Sequence, residues 1–151
     1  MGQSWSKMRK QLEQECLCNS LKGRVTFFVT RYPGTSDIHT RVAVRVDGEE
    51  VLKSDLIKFL SANGNNDIEI HNQGGFDSVD FYSAFYKYKN QSILNSLMCD
   101  DPLVRLFAIL DRRIGKRTLK SIASTISNQP EWLQPFYLLR FNSENIREST
   151  E

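Results

Sequence analysis

Long apolar runs are missing from this sequence. The uninterrupted ones extend for a few residues, far short of the roughly 20 that a helix needs to cross a bilayer, and no apolar stretch follows the first methionine. Neither a membrane span nor a secretory leader is expected. Charge of one sign is also not in excess: 20 Lys and Arg stand against 18 Asp and Glu, and the charges divide evenly about residue 75. A basic arm or an acidic tail is thereby excluded, and any charged site must be local. Cysteine is scarce and odd in number. Cys16 and Cys18 are too close for an ordinary bridge and Cys99 is left over, which fits a reducing, cytoplasmic compartment.

Histidine is scarcer still, with only His39 and His71. Together with the cysteines they form neither a Cys-x-x-Cys nor a His-x-x-x-His spacing, so no metal site is expected, and no cofactor motif stands out. Gly115-Lys116 resembles the end of a phosphate-binding loop, but Leu110 stands where that loop needs glycine and Arg117 where it needs Ser or Thr. No catalytic residue is singled out by local spacing. Met1-Gly2-Gln3-Ser4-Trp5-Ser6 fits the short N-myristoylation pattern, which many unmodified chains also fit.

What remains is an ordinary globular composition, 40% hydrophobic and 25% charged, far from the compositions that stay disordered. Its 151 residues suit a single domain, 1–151, with a candidate sub-boundary near 73–76 between a sheet-rich stretch 1–73 and a helical stretch 76–151. The expected fold class is α+β: an N-terminal helix, a small antiparallel sheet of three to four strands, and a C-terminal helical half.

The periodicities place the elements. Trp5, Met8, Leu12 and Cys16 make one apolar stripe on a helix over 4–17. Val25, Phe27 and Val29 alternate with polar neighbours on a first strand, and Val42, Val44 and Val46 do so on a second, after a turn cluster at 33–37. Asp47-Gly48 suits a type I′ turn into a third strand over 49–52. Ser54 is read as the cap of a short helix carrying Leu56, Ile57 and Leu60 and stopped by Asn63-Gly64, and Ile68 and Ile70 flank Glu69 as in a fourth strand. From Gly74-Gly75 onward the period is helical. Asp77 caps a helix with Phe81, Tyr82, Phe85 and Tyr88, and a second carries Ile93, Leu94, Leu97 and Met98. Asp101-Pro102 opens a third, whose stripe Leu103, Leu106, Phe107, Leu110 and Ile114 runs to a stop at Gly115. Thr118 opens another with Leu119, Ile122, Ala123 and Ile126, and Pro135, preferred over Pro130, opens the last with Trp132 before it and Phe136 and Leu139 in it.

One charge feature rises above the background. Arg105, Arg112, Arg113, Lys116, Arg117 and Lys120 are opposed within their span only by Asp111, so this segment is the candidate site for an anion or a macromolecular partner. Two bland explanations compete with it: a solvated helix face, and cations gathered at a helix C-terminus near Gly115, where they complement the macrodipole. Asp111, four residues before Gly115 and with Arg112, Arg113 and Arg140 as candidate partners, is a candidate buried acceptor bridging two helices.

Trp5-Ser6-Lys7, Leu21-Lys22-Gly23-Arg24-Val25, Thr30-Arg31-Tyr32 and Val46-Asp47-Gly48-Glu49-Glu50-Val51 resemble the first half of a family of small uncharacterised bacterial proteins. Asp101-Pro102-Leu103-Val104-Arg105, the run from Leu110 through Asp111-Arg112-Arg113-Ile114-Gly115-Lys116-Arg117 to Leu119, and Phe136-Tyr137 with Leu139-Arg140 resemble its second half. The resemblance implies a bacterial, cytoplasmic setting and transfers no activity. The stretch from Ser54 to Tyr88 carries no matching motif.

The leading expectation is a noncatalytic protein that binds another macromolecule. A nucleic-acid-binding module built on the basic segment is the alternative, and a small enzyme whose site assembles from distant positions is a third reading. The stripe from Leu103 to Ile114 yields a test of its own, because it places Phe107 in the core while Arg105 and Arg112 face away. Phe107→Ala should cost on the order of 3–5 kcal/mol in urea unfolding, and Arg105→Ala little unless its side chain is paired. Comparable losses for the two would mean that the faces of this helix are assigned wrongly.

Overall fold

The computed structural model describes residues 4–31, 40–55 and 67–146. The turn cluster at 33–37, His39, the short helix expected over Leu56 to Leu60 with its stop, and the first three residues lie outside them. The fold is α+β.

Ser4 caps helix α1 (Trp5–Lys10), its hydroxyl accepting the Lys7 N–H at 3.2 Å. The helix runs on as a π-helical turn (Gln11–Cys16), closed by Leu17 N–H to Leu12 C=O at 3.1 Å. The wider turn brings Leu12, Cys16 and Leu17 all into the core. It also sets Glu13 beside the sheet edge, where its carboxylate accepts the Phe27 N–H at 2.7 Å and the Arg9 guanidinium at 2.9 Å. An edge-strand donor is thereby satisfied without a fourth strand.

The sheet is a meander of β1 (Val25–Arg31), β2 (Thr40–Val46) and β3 (Glu49–Lys53), all antiparallel. Asp47 and Gly48 have φ of 52° and 88°, the two positive angles of the expected type I′ turn, and Arg24 grips the Asp47 carboxylate with two bonds of 3.0 and 3.1 Å. Val25, Phe27, Val42 and Val44 point into the core. Ser54 extends the ladder: its N–H donates to Val42 C=O at 2.8 Å and its hydroxyl accepts the Val42 N–H at 3.0 Å.

The fourth strand is not formed. Asp67–Asn72, with Ile68 and Ile70, is helix α2. Two isoleucines around one glutamate are too short a pattern to separate the two periods. The deciding chemistry lies downstream, where Gly74 at φ 88° lets Gly74 and Gly75 donate to His71 and Ile70 carbonyls and close a helix end. Asp77 then caps α3 (Ser78–Lys89), Ser92 caps α4 (Ile93–Leu97), and Asp101 caps α5 (Pro102–Ile109), accepting the Leu103 N–H at 2.9 Å.

Helix α5 is the axis of the core. The stripe Leu103, Leu106, Phe107, Leu110 and Ile114 is buried as expected, and Val104, Ala108 and Ile109 are buried as well, so the helix is covered almost all round. Phe107 is the hub of an aromatic cluster, its ring centroid 5.0 Å from that of Phe81, 5.4 Å from Tyr88, 5.9 Å from Phe85 and 6.3 Å from Phe27. Core residues thus come from both sides of Gly74-Gly75.

Three boundaries differ from the sequence reading. Helix α5 ends at Ile109 rather than running to Gly115, because the following backbone is taken up by other partners described below. Gly115 is the N-cap of α6 (Lys116–Ser121) and not a stop, so that helix opens before Thr118. It gives way to a 3-10 turn over Ala123–Asn128 that still buries Ala123 and Ile126. The last helix, α7 (Gln134–Ser143), opens one residue before Pro135, which sits in its first turn, and buries Tyr137, Arg140 and Phe141 beside the expected Phe136.

His71 ties these helices together. Its ring, 5% exposed, sets Nδ1 at 3.0 Å from the Asp101 carboxylate and Nε2 at 3.5 Å from that of Asp80, while its carbonyl accepts the Trp132 indole N–H at 2.8 Å. Burial alone would lower the imidazole pKa, but the hydrogen bonds and charges of Asp101 and Asp80 outweigh it and hold the pKa at about 9. A pKa raised on folding stabilises the fold fully below the unfolded value near 6.5, and that contribution disappears as the pH rises through 9. The urea midpoint of the wild type should therefore fall toward that of His71→Gln between those limits, closing a gap on the order of 3 kcal/mol. A wild-type to H71Q difference that stays constant from pH 6 to pH 10 would show that the imidazole is neutral.

Candidate functional site

The six cations of the basic segment do not form one surface. Arg105, on α5, is half-buried: its Nε donates to the Gln129 side-chain oxygen at 3.0 Å and its Nη1 to the carbonyls of Cys99 and Asp100 at 2.8 and 3.1 Å. It does not face away into solvent as the helical stripe implied. Arg112 is exposed and donates through Nε to the Glu15 carbonyl at 2.8 Å. Arg113 is bound to Asp111. Lys116, Arg117 and Lys120 stand exposed on α6, and among the described residues none of them has an ion-pair or hydrogen-bonding side-chain partner.

The macrodipole suits Lys120, in the last turn of α6, but does not account for Lys116 and Arg117. With Gly115 as N-cap, Lys116 and Arg117 occupy the positive end of α6 rather than the negative end of the preceding helix. There cations are disfavoured, and Lys116 with Lys120 adds a like-charge i,i+4 pair, each effect worth a few tenths of a kcal/mol.

Asp111 is the polar centre beneath this edge. Its side chain is 1% exposed. One oxygen accepts the Arg113 N–H at 2.7 Å and Nε at 3.0 Å; the other accepts Arg113 Nη2 at 2.9 Å and the Tyr88 hydroxyl. Every lone-pair direction of the carboxylate is occupied, so it has no position left from which to take a substrate proton. Burial, then the adjacent Asp111 charge, pushes the Tyr88 hydroxyl pKa far up, and the bond to Asp111 pushes the Arg113 pKa up in turn. The phenol stays protonated and the guanidinium charged. The expected bridging role for Asp111 is met in part: its carboxylate joins α3 to the turn after α5, whereas Arg140 binds its backbone carbonyl.

Two hollows adjoin these residues. One, of about 140 Å³, is polar and lies over Asp111, walled by Cys16, Lys89, Arg112 and Arg113. The other, of about 280 Å³, is mostly apolar and lies beside Arg105, between Leu97, Met98, Ile122 and Tyr137. Among the described residues no group of three or more His, Cys, Asp or Glu side chains is placed to hold a metal ion, and no helix is long and apolar enough to cross a membrane.

Sequence reasoning named Arg140 only as one of the arginines near Asp111, without its carbonyl partners, and missed the second hollow. Arg140 carried a signal, a lone arginine amid Phe136, Tyr137 and Phe141 at helical spacing. The hollow carried none, since its walls come from four separate elements. The Asp111 centre is tested by Asp111→Asn and Tyr88→Phe. The first should destabilise by about 3 kcal/mol and the second by about 1–2 kcal/mol in urea unfolding, as buried donors lose a charged acceptor or a carboxylate loses one donor. Losses below about 0.5 kcal/mol for both would place the centre outside the folding core.

Comparison with known proteins bears on the whole chain rather than on one site. No curated protein and no solved structure matches it significantly. A family model does, over residues 4–72 and 61–141, including the stretch 54–88 in which the sequence carried no recognisable motif. The match spans nearly all of the described residues, and the chain belongs to the SF0329 protein family.

Proposed function

We propose that this protein is a noncatalytic interaction protein that holds an acidic surface of another protein against its cationic edge, Arg112, Lys116, Arg117 and Lys120. One observation carries the reading: these side chains are exposed and without a carboxylate partner among the described residues, and two of them, Lys116 and Arg117, stand at the N-terminal end of α6, where the helix itself disfavours positive charge. Two cations set against the dipole of their own helix suit an external anionic partner. The saturated carboxylate of Asp111 and the imidazole of His71, with both nitrogens against carboxylates, support a binding role over acid–base chemistry. The three free cysteines, two of them buried, suit a reducing cytoplasm.

Nucleic acid is the less favoured partner. Phe107 is the one aromatic residue of the segment 105–120 and it is buried, so no ring stands among the cations to stack on a base. Helix α6 has six residues, a rod of about 9 Å, which is short for reading a major groove.

Fluorescence anisotropy with a labelled polyglutamate peptide and with a labelled DNA duplex, each across a salt series, separates the readings. The peptide should bind, more weakly as salt rises, and Arg117→Glu with Lys120→Glu should lower its affinity roughly tenfold or more. Absence of peptide binding near physiological ionic strength would sink the proposal. Tighter binding of the duplex, with a steep log–log dependence on salt, would transfer the edge to nucleic acid.

A further inference from the structure

The polar hollow over Asp111 is walled by three stretches of chain that are tied to one another. The π-helical turn supplies Glu15 and Cys16, the end of α3 supplies Lys89, and the turn after α5 supplies Asp111, Arg112 and Arg113. Arg112 donates through its backbone N–H to the Cys16 carbonyl and through Nε to the Glu15 carbonyl, at 2.8 Å each, and the hydroxyl of Tyr88, next to Lys89, donates to the Asp111 carboxylate. The walls are therefore in place before any ligand arrives.

Two of the five charges are already spent. Asp111 and Arg113 satisfy each other through Nε at 3.0 Å and Nη2 at 2.9 Å. What remains is Lys89, the two Nη groups of Arg112 and the Glu15 carboxylate, all on exposed residues, and among the described residues none of these groups has an ion-pair or hydrogen-bonding partner. Two cations and one carboxylate around one small polar space do not match a bare anion. They match an oxyanion that still carries a proton, whose oxygens accept from Arg112 and Lys89 while its O–H donates to the carboxylate of Glu15. An oxyanion with no proton to give meets only repulsion at that carboxylate.

We propose that this hollow binds inorganic phosphate, with Glu15 as the group that selects it over sulfate. At neutral pH phosphate keeps at least one proton and sulfate keeps none, so two tetrahedral anions of like size differ at the contact that Glu15 makes. A phosphorylated side chain, with its second pKa near 6, is mostly without that proton at pH 7 and is disfavoured on the same ground. The hollow, of about 140 Å³, has room for about five water-sized atoms at roughly 30 Å³ each, the number of heavy atoms in phosphate. The site shares Arg112 with the cationic edge but is not lined by Lys116, Arg117 or Lys120, and it needs no acidic protein partner.

The full chain, ¹⁵N-labelled, is titrated with inorganic phosphate and with sulfate at pH 7 and constant ionic strength, following the Arg112 Nε–H signal by NMR and the heat by calorimetry. Phosphate should shift that signal saturably in the millimolar range, sulfate should bind roughly tenfold more weakly or worse, and Lys89→Gln should weaken phosphate by a similar factor. Glu15→Gln should abolish the discrimination by letting sulfate bind as well as phosphate does, a result that a merely structural Glu15 would not give. Both substitutions change exposed side chains, so the fold is kept. Arg117→Glu with Lys120→Glu should leave both affinities unchanged, which separates this site from the cationic edge. An Arg112 signal unmoved at about 10 mM phosphate overturns the proposal. So does equal binding of sulfate by the wild type, which would mean attraction to the cations alone, or discrimination that survives Glu15→Gln. Phenyl phosphate or hydrogencarbonate binding more tightly than inorganic phosphate would assign the hollow to another ligand and overturns it as well.

Discussion

The guanidinium of Arg140 is the interaction around which the helical half is arranged. It is 2% exposed and its Nη1 donates to the carbonyls of Ile109 and Asp111 at 2.8 Å each, its Nη2 to that of Ile114, and its Nε to the Glu144 carboxylate at 3.1 Å. The last carbonyls of a helix have no partner within it, and burying them unsatisfied costs about as much as losing a hydrogen bond for each. Arg140 meets that need from α7 and so fixes where α5 ends. Glu144, the C-cap of the same helix, balances the charge, which is what makes a buried arginine tolerable.

The same turn draws in the N-terminal segment. Cys18 donates to the Leu110 carbonyl at 2.9 Å and Arg112 to the Cys16 carbonyl at 2.8 Å, a short antiparallel bridge centred on Leu17 and Asp111. Three distant stretches, near residues 17, 111 and 140, therefore meet at one place. This is where the wide π turn after α1 has its use, since it delivers Cys16 and Leu17 together to that junction. Asp111 then holds Tyr88 and Arg113 from its side chain while its carbonyl is held by Arg140. With so many groups satisfied at once, the junction holds three separate stretches of the chain in one arrangement.

Ending α5 at Ile109 has a consequence for recognition. Had the helix continued to Gly115, Arg112 and Arg113 would have sat on its last turn and Lys116 just beyond, where their charges would need no further explanation. The break instead starts a new helix with Lys116 and Arg117 at its positive end, and sends Arg105 to a different face from the rest. One run of cations in the sequence is thus divided between an open edge of exposed charge and a mostly apolar hollow lined by Arg105.

What the sequence determined by itself was everything local. The Asp47-Gly48 turn, the caps at Asp77 and Asp101, the start of the last helix beside Pro135 and the apolar stripe of α5 all follow from backbone sterics, capping and periodicity, which depend only on near neighbours. Where the local signal was weak or shared, tertiary structure decided. Ile68 and Ile70 form a helix because of the way the chain closes at Gly74, and the stripe that ran on to Ile114 marked buried positions correctly while overrunning the helix. An isolated helix is limited by its propensities, but a helix in a core is also limited by who can take its last carbonyls. Arg140 lies 31 residues from Ile109 in the chain, and no pattern along the sequence reports a hydrogen bond between residues so far apart. For the same reason Arg105 could be recognised as a cation from its position in the sequence, while its neighbours in the hollow, drawn from α4, the 3-10 turn and α7, could be known only once the chain had folded.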